Sequence, residues 1–105
     1  MRLKPQYRPS LYLSESINRK KLGKIKRELA SRPFRARVYL LATARSGSDQ
    51  LEIYSSRLLE QDCCRSSPPY IVGIAKTREE AIGLVERIVG DCLKARGDCA
   101  VREYL

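Results

Sequence analysis

A chain of 105 residues, 43% of them hydrophobic and 31% charged, has the length of one domain and the composition of a globular protein. No apolar stretch approaches the roughly 20 residues that a membrane-spanning helix needs. No apolar segment follows the basic first residues, as it would in a signal peptide. We therefore expect one domain in the cytoplasm, without a membrane partner.

The positive charge is concentrated in the first half of the chain. The net charge is +9, with 13 lysines and arginines against two acids in residues 1–45, a charge of +11, and −2 in residues 46–105. Such an asymmetry indicates an anionic partner, such as nucleic acid, a nucleotide or an acidic protein surface.

Residues 1–9 predict a flexible basic arm. They include two prolines and few side chains suited to burial, so that little would offset the entropy lost on ordering. We expect residues 10–105 to form the single folded domain, which starts with a short strand at residues 11–13.

A basic amphipathic helix is expected over residues 17–31, and Pro33 ends it. Ser14 or Ser16 is the expected N-cap, because a hydroxyl there accepts a hydrogen bond from a backbone N–H that has no partner inside the helix. The side of the helix opposite the apolar stripe is almost wholly cationic. The stripe itself consists of Leu22, Ile25 and Leu29.

Two strands and a short helical turn are expected in the middle of the chain. Residues 37–44 are apolar on both alternating faces, which is typical of a strand covered on at least part of each side. Residues 51–54 alternate apolar with polar side chains and are expected to return as the second strand of a hairpin. Leu58 and Leu59 predict one helical turn soon after.

A central strand and a long helix are expected in the last third of the chain. Residues 70–75 form an uninterrupted apolar run bounded by turn residues. Thr77 and Glu80 predict a capping box at the start of the helix, and Gly97 lies just beyond its last turn. Residues 99–105 are expected to form a short edge strand or an extended tail.

The order of these elements predicts a ferredoxin-like α+β sandwich. Without the additional hairpin strand, the order is βαββαβ, in which two helices pack on one face of a mostly antiparallel sheet. The middle of the chain adds one extra strand or short helix to this arrangement.

The sequence argues against most classes of enzyme. It contains no histidine, which removes the commonest general base, the commonest metal ligand and every Ser-His or Cys-His dyad. The acids of the last helix fall on its polar face, and the glycines form no phosphate-loop or dinucleotide motif. We therefore expect a non-enzymatic protein without catalytic residues, metal or cofactor. An uncharacterised enzyme is the remaining alternative.

The four cysteines are expected to be free thiols, because a domain of this size with a full set of core residues has little need of disulfides. A four-thiolate zinc site is one alternative, although Cys92 falls on the apolar stripe of its helix. A redox role for the adjacent Cys63 and Cys64 is another.

The basic first helix is the main candidate for a functional site. Its lysines and arginines, with those just after it, are expected to contact several phosphates of a nucleic acid or another polyanion and to release counterions. The alternative is a solvated helix face without a ligand. The predicted polyanion-binding residues are Arg19, Lys20, Lys21, Lys24, Lys26, Arg27, Arg35 and Arg37.

Sequence-specific RNA recognition has less support. The strand at residues 37–41 lacks the paired aromatic residues of an RNA-recognition sheet. Tyr12, Tyr39 and Tyr70 would stack on bases if they shared an open face, but packing in or beside the core is the preferred interpretation.

Two glycines in the last helix indicate a second possible surface. Gly83 and Gly90 lie two helical turns apart on its solvent side, where each costs about 1 kcal/mol relative to alanine. Close approach of a second subunit would explain them, so a regulatory or interaction domain that acts as a homodimer is the second hypothesis. A tolerated loss of stability is the alternative.

The last third of the chain resembles a group of short uncharacterised bacterial proteins. The resemblance rests on residues 70–89, YIVGIAKTREEAIGLVERIV, and on residues 97–105, and it is weaker elsewhere. It implies a bacterial cytoplasmic protein and supplies no catalytic residue.

Overall fold

The structure is a computed structural model that describes residues 6–43, 51–60, 70–98 and 100–105. None of the helices in these ranges combines the length and the hydropathy needed to cross a membrane. In chain order the described elements are β1 (Gln6–Leu13), α1 (Arg19–Ser31), α2 (Pro33–Ala36), β2 (Tyr39–Thr43), β3 (Leu51–Ser55), a 3-10 helix (Ser56–Glu60), β4 (Tyr70–Ala75), α3 (Arg78–Arg96) and α4 (Val101–Tyr104).

The described strands form one mixed sheet in the order β1-β4-β2-β3. Strand β4 pairs in parallel with β1 and antiparallel with β2. Strands β2 and β3 form the predicted hairpin, and the predicted helical turn follows β3. The central position of β4, where all but its first residue are buried, was also predicted by its uninterrupted apolar run.

Helices α1 and α3 cover opposite faces of the sheet. Successive strand residues point to opposite faces, and two neighbours in β2 show the consequence. Leu40 lies in one buried cluster with Leu29 of α1, whereas Leu41 lies in another with Ile88 of α3. The described residues therefore stack in three layers, helix, sheet and helix, with an apolar core on each side of the sheet.

This arrangement confirms the α+β class and corrects its ferredoxin-like detail. The prediction placed both long helices on one face, but the two cores require them on both. It also ended the chain in a short strand or an extended tail at residues 99–105, where the described part forms α4 instead. Val101, Tyr104 and Leu105 all pack on the α3-side core, and their spacing of three and four residues is helical.

Strand β1 begins at Gln6, so residues 6–9 of the predicted arm belong to a strand at the sheet edge. The register places residues 8–11 of β1 opposite Val72 alone, so β1 bulges away from β4 over these residues. Pro9 lies in this bulge, where its missing N–H costs no hydrogen bond of the ladder. Residues 1–5 of the predicted arm lie outside the described residues.

The ends of α3 follow the predicted signals. The Thr77 hydroxyl accepts a hydrogen bond from the Glu80 amide at 3.1 Å, which confirms the amide half of the capping box. The Glu80 carboxylate reaches back to Thr77 and accepts a hydrogen bond from the same hydroxyl at 3.2 Å. Gly97 ends the helix with a φ of 78°, a left-handed conformation that glycine adopts without strain.

The N-cap of α1 was predicted two to four residues too early. Asn18 is the cap, and its side-chain oxygen accepts a hydrogen bond from the Lys21 amide at 2.9 Å. Ser14 instead continues the sheet, since its amide donates to the carbonyl of Ile74 at 3.2 Å. Pro33 ends α1 as predicted and becomes a first-turn residue of α2, where proline is favourable.

The close packing of β1 on β4 predicts that a side chain at position 73 destabilises the fold. A Cβ there would lie 3.2 Å from the Tyr12 carbonyl oxygen, whereas a Cβ at Gly23 of α1 meets nothing within 4 Å. We expect Gly73→Ala to lower the free energy of unfolding by about 1–3 kcal/mol. The control Gly23→Ala is expected to raise it by about 0.5–1 kcal/mol. Urea unfolding measures both, and a neutral Gly73→Ala would contradict the described packing.

Candidate functional site

A cleft opens at the end of the sheet where the carboxyl-terminal residues of β1 and β4 lie side by side. Because these strands are parallel, their carboxyl ends lie at the same edge, and the antiparallel strand β2 begins there. The segment after β1, the residue after β4 and the segment before β2 meet at this edge, beside α1. The cleft that they enclose has a volume of about 330 Å³.

The floor of the cleft is apolar. Ile17, Ile25 and Val38 line it and are buried, and Ala36 lies beside them. The three buried residues belong to the core between α1 and the sheet. The floor is therefore part of the packed core, and its shape is set by the fold.

Five cations and one carboxylate surround this floor. The carboxylate is Glu28 of α1, so the residues that line the cleft carry a clear excess of positive charge. A cleft lined mainly by one sign of charge concentrates its field on a ligand. The cations are the exposed side chains of Lys21, Lys24, Arg35, Arg37 and Lys76.

The structure brings four of the eight predicted polyanion-binding residues into the cleft, namely Lys21, Lys24, Arg35 and Arg37. Arg19, Lys20 and Arg27 are exposed on α1 outside it. Lys26 places its ammonium nitrogen 4.7 Å from the centre of the Tyr7 ring. The fifth cation, Lys76, was missed because only the pairing of β4 with β1 brings it to α1. Its position directly after a central strand was the available signal.

Arg37 carries an unusual backbone conformation. Its φ of 51° and ψ of 45° are left-handed, and no other non-glycine residue in the described ranges has a positive φ. The left-handed region costs an L-residue with a Cβ about 1–2 kcal/mol. Arg37 is the C-cap of α2, and a left-handed residue is a common way for a helix to end. The conformation therefore follows from the end of the helix.

Two hydrogen bonds hold the segment between β1 and α1 at the cleft. Ser16, which follows β1, donates from its hydroxyl to the Glu80 carboxylate of α3 at 2.8 Å. The Lys21 ammonium donates to the Ser16 carbonyl at 3.3 Å. Glu80, whose amide bonds to the N-cap residue Thr77 of α3, thus also holds the segment after β1 that lines the cleft.

A second polar cluster fastens β1 to the C-terminal helices. The Tyr12 hydroxyl donates to the Asp91 carboxylate at 2.7 Å, and the Tyr104 hydroxyl, 3.2 Å away, is left to donate to Tyr12. The guanidinium carbons of Arg8 and Arg87 lie 5.5 and 5.6 Å from the centre of the Tyr12 ring. No sequence signal indicated this cluster, because its members are distant in the chain.

The three tyrosines considered for base stacking belong to the side of the sheet that α3 covers. Tyr12 is buried in that core, and Tyr39 and Tyr70 are half-buried against it. The preferred interpretation, packing in or beside the core, is therefore confirmed.

The predicted interface glycines lie on an open side of α3. A Cβ added at Gly83 or Gly90 would meet nothing within 4 Å. Ile82 and Leu93 of the same helix are each 45% exposed. The described residues thus leave this side of α3 uncovered.

Of the four cysteines, the structure describes Cys92. Cys92 is fully buried, and its thiol donates to the Asp98 carbonyl at 3.3 Å. In the described part of the chain, no group of three or more Cys, Asp or Glu side chains is placed to hold a metal ion. Cys63, Cys64 and Cys99 lie outside that part, so the zinc and redox interpretations stay predictions.

Comparison with known proteins adds no relative to this description. No family model, curated protein or solved structure matches the chain. The resemblance to short bacterial proteins therefore stays a prediction, and the function has to be inferred from the site.

Tyr12, which is buried, and Tyr7, which is half-buried, predict a loss of stability at high pH. Burial raises the pKa of Tyr7 to about 12. Burial, followed by the hydrogen bonds with Tyr104 and Asp91, raises the pKa of Tyr12. Since tyrosine in an unfolded chain titrates near pH 10, the folded state holds these protons to higher pH than the unfolded state. Their contribution to the free energy of unfolding is therefore complete below about pH 10 and is lost as the pH rises further.

The variant Tyr7→Phe tests this pH dependence. The Tyr7 hydroxyl is buried and has no hydrogen-bond partner among the described residues. Its removal is expected to raise the free energy of unfolding by about 1 kcal/mol at pH 7. The decline above pH 10 should also become shallower, which urea unfolding from pH 7 to about pH 11 measures. An equally steep decline in the variant would contradict the assignment to Tyr7.

Proposed function

We propose that the protein is a non-enzymatic, cytoplasmic nucleic-acid-binding module, in which α1 and the adjoining cleft contact the phosphate backbone. The observation that carries the proposal is the convergence of five cations from three separate chain segments around one cleft. A solvated helix face would account for the cations of α1 alone. It would not account for Arg35 and Arg37 at the end of α2 or for Lys76 on the loop after β4.

A polyanion explains more of the surface than a small anion does. Lys20, Lys24 and Arg27 are exposed on α1, and at 100° per residue they lie on one side of the helix, next to the cleft. This row extends the positive surface beyond the cleft. A small anion would need only the cleft, whereas a nucleic acid would contact the cleft and the row together.

Binding to nucleic acid is expected to be strongly salt dependent. Fluorescence anisotropy of labelled single-stranded RNA, titrated with nuclease-treated protein over a salt series, measures the affinity and its slope against salt. We expect the double variant Lys24→Gln, Arg27→Gln to weaken binding and to reduce the slope by about 0.7 for each phosphate that the variant no longer neutralises. The control Lys94→Gln, Arg78→Gln removes the same charges from exposed positions on α3 and is expected to bind as the parent does.

Two outcomes would contradict the proposed function. If the parent does not bind RNA or DNA at low salt, the basic surface has no nucleic-acid ligand. If the two double variants weaken binding equally, total charge rather than the α1 surface determines the interaction. Duplex DNA in a parallel series shows which form of nucleic acid is preferred.

The open side of α3 favours a second candidate function, a homodimeric interaction domain. Ile82 and Leu93 are each 45% exposed and lie about three helical turns apart, so they point in nearly the same direction. Gly83 and Gly90 both lie to one side of this line and would allow a second helix to approach closely there. A partner on this side would leave the cleft open, since α1 and α3 lie on different faces of the sheet.

Molecular mass in solution tests the dimer. Sedimentation equilibrium over a range of concentrations is expected to show a monomer–dimer equilibrium for the parent. The variant Ile82→Glu is expected to shift it fully to monomer, since a carboxylate on an apolar interface is costly to desolvate. The control Lys20→Glu adds the same carboxylate to an exposed position of α1, on the other face of the sheet, and should leave the equilibrium unchanged. A parent that stays monomeric at high concentration would contradict this candidate.

A further inference from the structure

The cleft combines two kinds of surface that a bare phosphate site does not need. Its floor of buried aliphatic side chains, Ile17, Ile25 and Val38, presents apolar surface to a ligand. Its rim carries the five cations and, next to them, the Glu28 carboxylate. A ligand that uses the whole cleft must therefore have an apolar face, an anionic group and a hydrogen-bond donor for Glu28.

The position of the cleft in the sheet is one that favours ligand binding. After β1 the chain continues into α1 on one face, and after the neighbouring parallel strand β4 it continues into α3 on the other. Adjacent parallel strands whose connections leave to opposite faces form a topological switch point. In open α/β sheets, ligands bind in the crevice outside the carboxyl ends of such strands.

From these two observations we propose that the cleft holds one nucleotide unit of a single-stranded nucleic acid. The phosphate lies among the cations of the rim, with Arg37 and Lys76 on the side of the strand ends. The base lies on the apolar floor, and Glu28 accepts a hydrogen bond from a base amino group or a ribose hydroxyl. This inference rests on the proposed function and adds that one base is held apart from its neighbours.

The size of the cleft agrees with this ligand. Its volume of about 330 Å³ is at the lower end of the range of roughly 300–1,000 Å³ that small-molecule sites occupy. It is large enough for a single nucleotide. Lys20 and Arg27, which lie outside the cleft, then follow the phosphates of the neighbouring nucleotides along α1.

Competition with the parts of a nucleotide tests the inference. A short labelled single-stranded RNA is bound to the full chain and displaced with AMP, adenosine or inorganic phosphate, at constant ionic strength. We expect AMP to displace the RNA at concentrations at least about tenfold lower than either adenosine or phosphate, because only AMP contacts both floor and rim. Equal displacement by phosphate would reduce the cleft to a simple anion site and overturn the inference.

Matched variants locate the nucleotide. Lys76→Gln in the cleft is expected to weaken AMP binding about fivefold or more, whereas Lys20→Gln outside it leaves AMP binding unchanged. Lys20→Gln should still weaken RNA binding, since it removes a charge that faces a neighbouring phosphate.

The variant Arg37→Gly separates an effect on binding from an effect on folding. Glycine relieves the left-handed backbone, so this variant is expected to unfold no more easily than the parent and yet to bind AMP more weakly.

The possible failures are distinguishable. RNA binding that AMP does not compete, or that Lys76→Gln and Lys20→Gln weaken equally, overturns the nucleotide cleft and leaves the proposed function standing. AMP binding seen by calorimetry with no RNA binding by the parent overturns the nucleic-acid function itself. Loss of binding in Arg37→Gly together with a lower free energy of unfolding would also count against the site, because it would show a structural role for the side chain.

Discussion

The parallel pairing of β1 with β4 is the constraint on which the rest of the structure depends. It brings the carboxyl ends of two strands that are distant in the chain to one edge of the sheet. The helices that follow these strands then pack on opposite faces, which covers both sides of β4 and accounts for its burial. Close approach of the two strands at Gly73, where a Cβ would meet the Tyr12 carbonyl oxygen at 3.2 Å, is the local condition for this pairing.

The same constraint creates the candidate site. Cations from α1, from the end of α2 and from the loop after β4 are drawn together only because the strand ends meet. The left-handed residue Arg37 ends α2 and places its side chain at the cleft. The packing of α1 on the sheet supplies the rigid apolar floor on which a ligand would rest.

Local sequence signals predicted most of the helices and strands. Their arrangement was predicted less well, because it depends on contacts between residues distant in the chain. The hairpin, the central strand, the amide cap at Thr77 and the glycine end of α3 each depend on residues close in the chain. Which face of the sheet each long helix covers depends on contacts between distant residues, so the ferredoxin-like placement of both helices on one face was wrong. For the same reason the basic residues of α1 were predicted as candidates, but their meeting with Lys76 was not. Residues 101–105 were predicted as extended because their helical spacing spans only one turn.

The central claim is that a free nucleotide binds in the cleft at the strand ends and not along the rest of the basic surface. Backbone amide chemical shifts of isotope-labelled protein, titrated with AMP in solution, test this most directly. The account predicts shift changes clustered at Ser16, Arg37 and Lys76, with the amides of the outer side of α3 unmoved. Changes spread evenly along α1, or centred on Gly83 and Gly90, would contradict it.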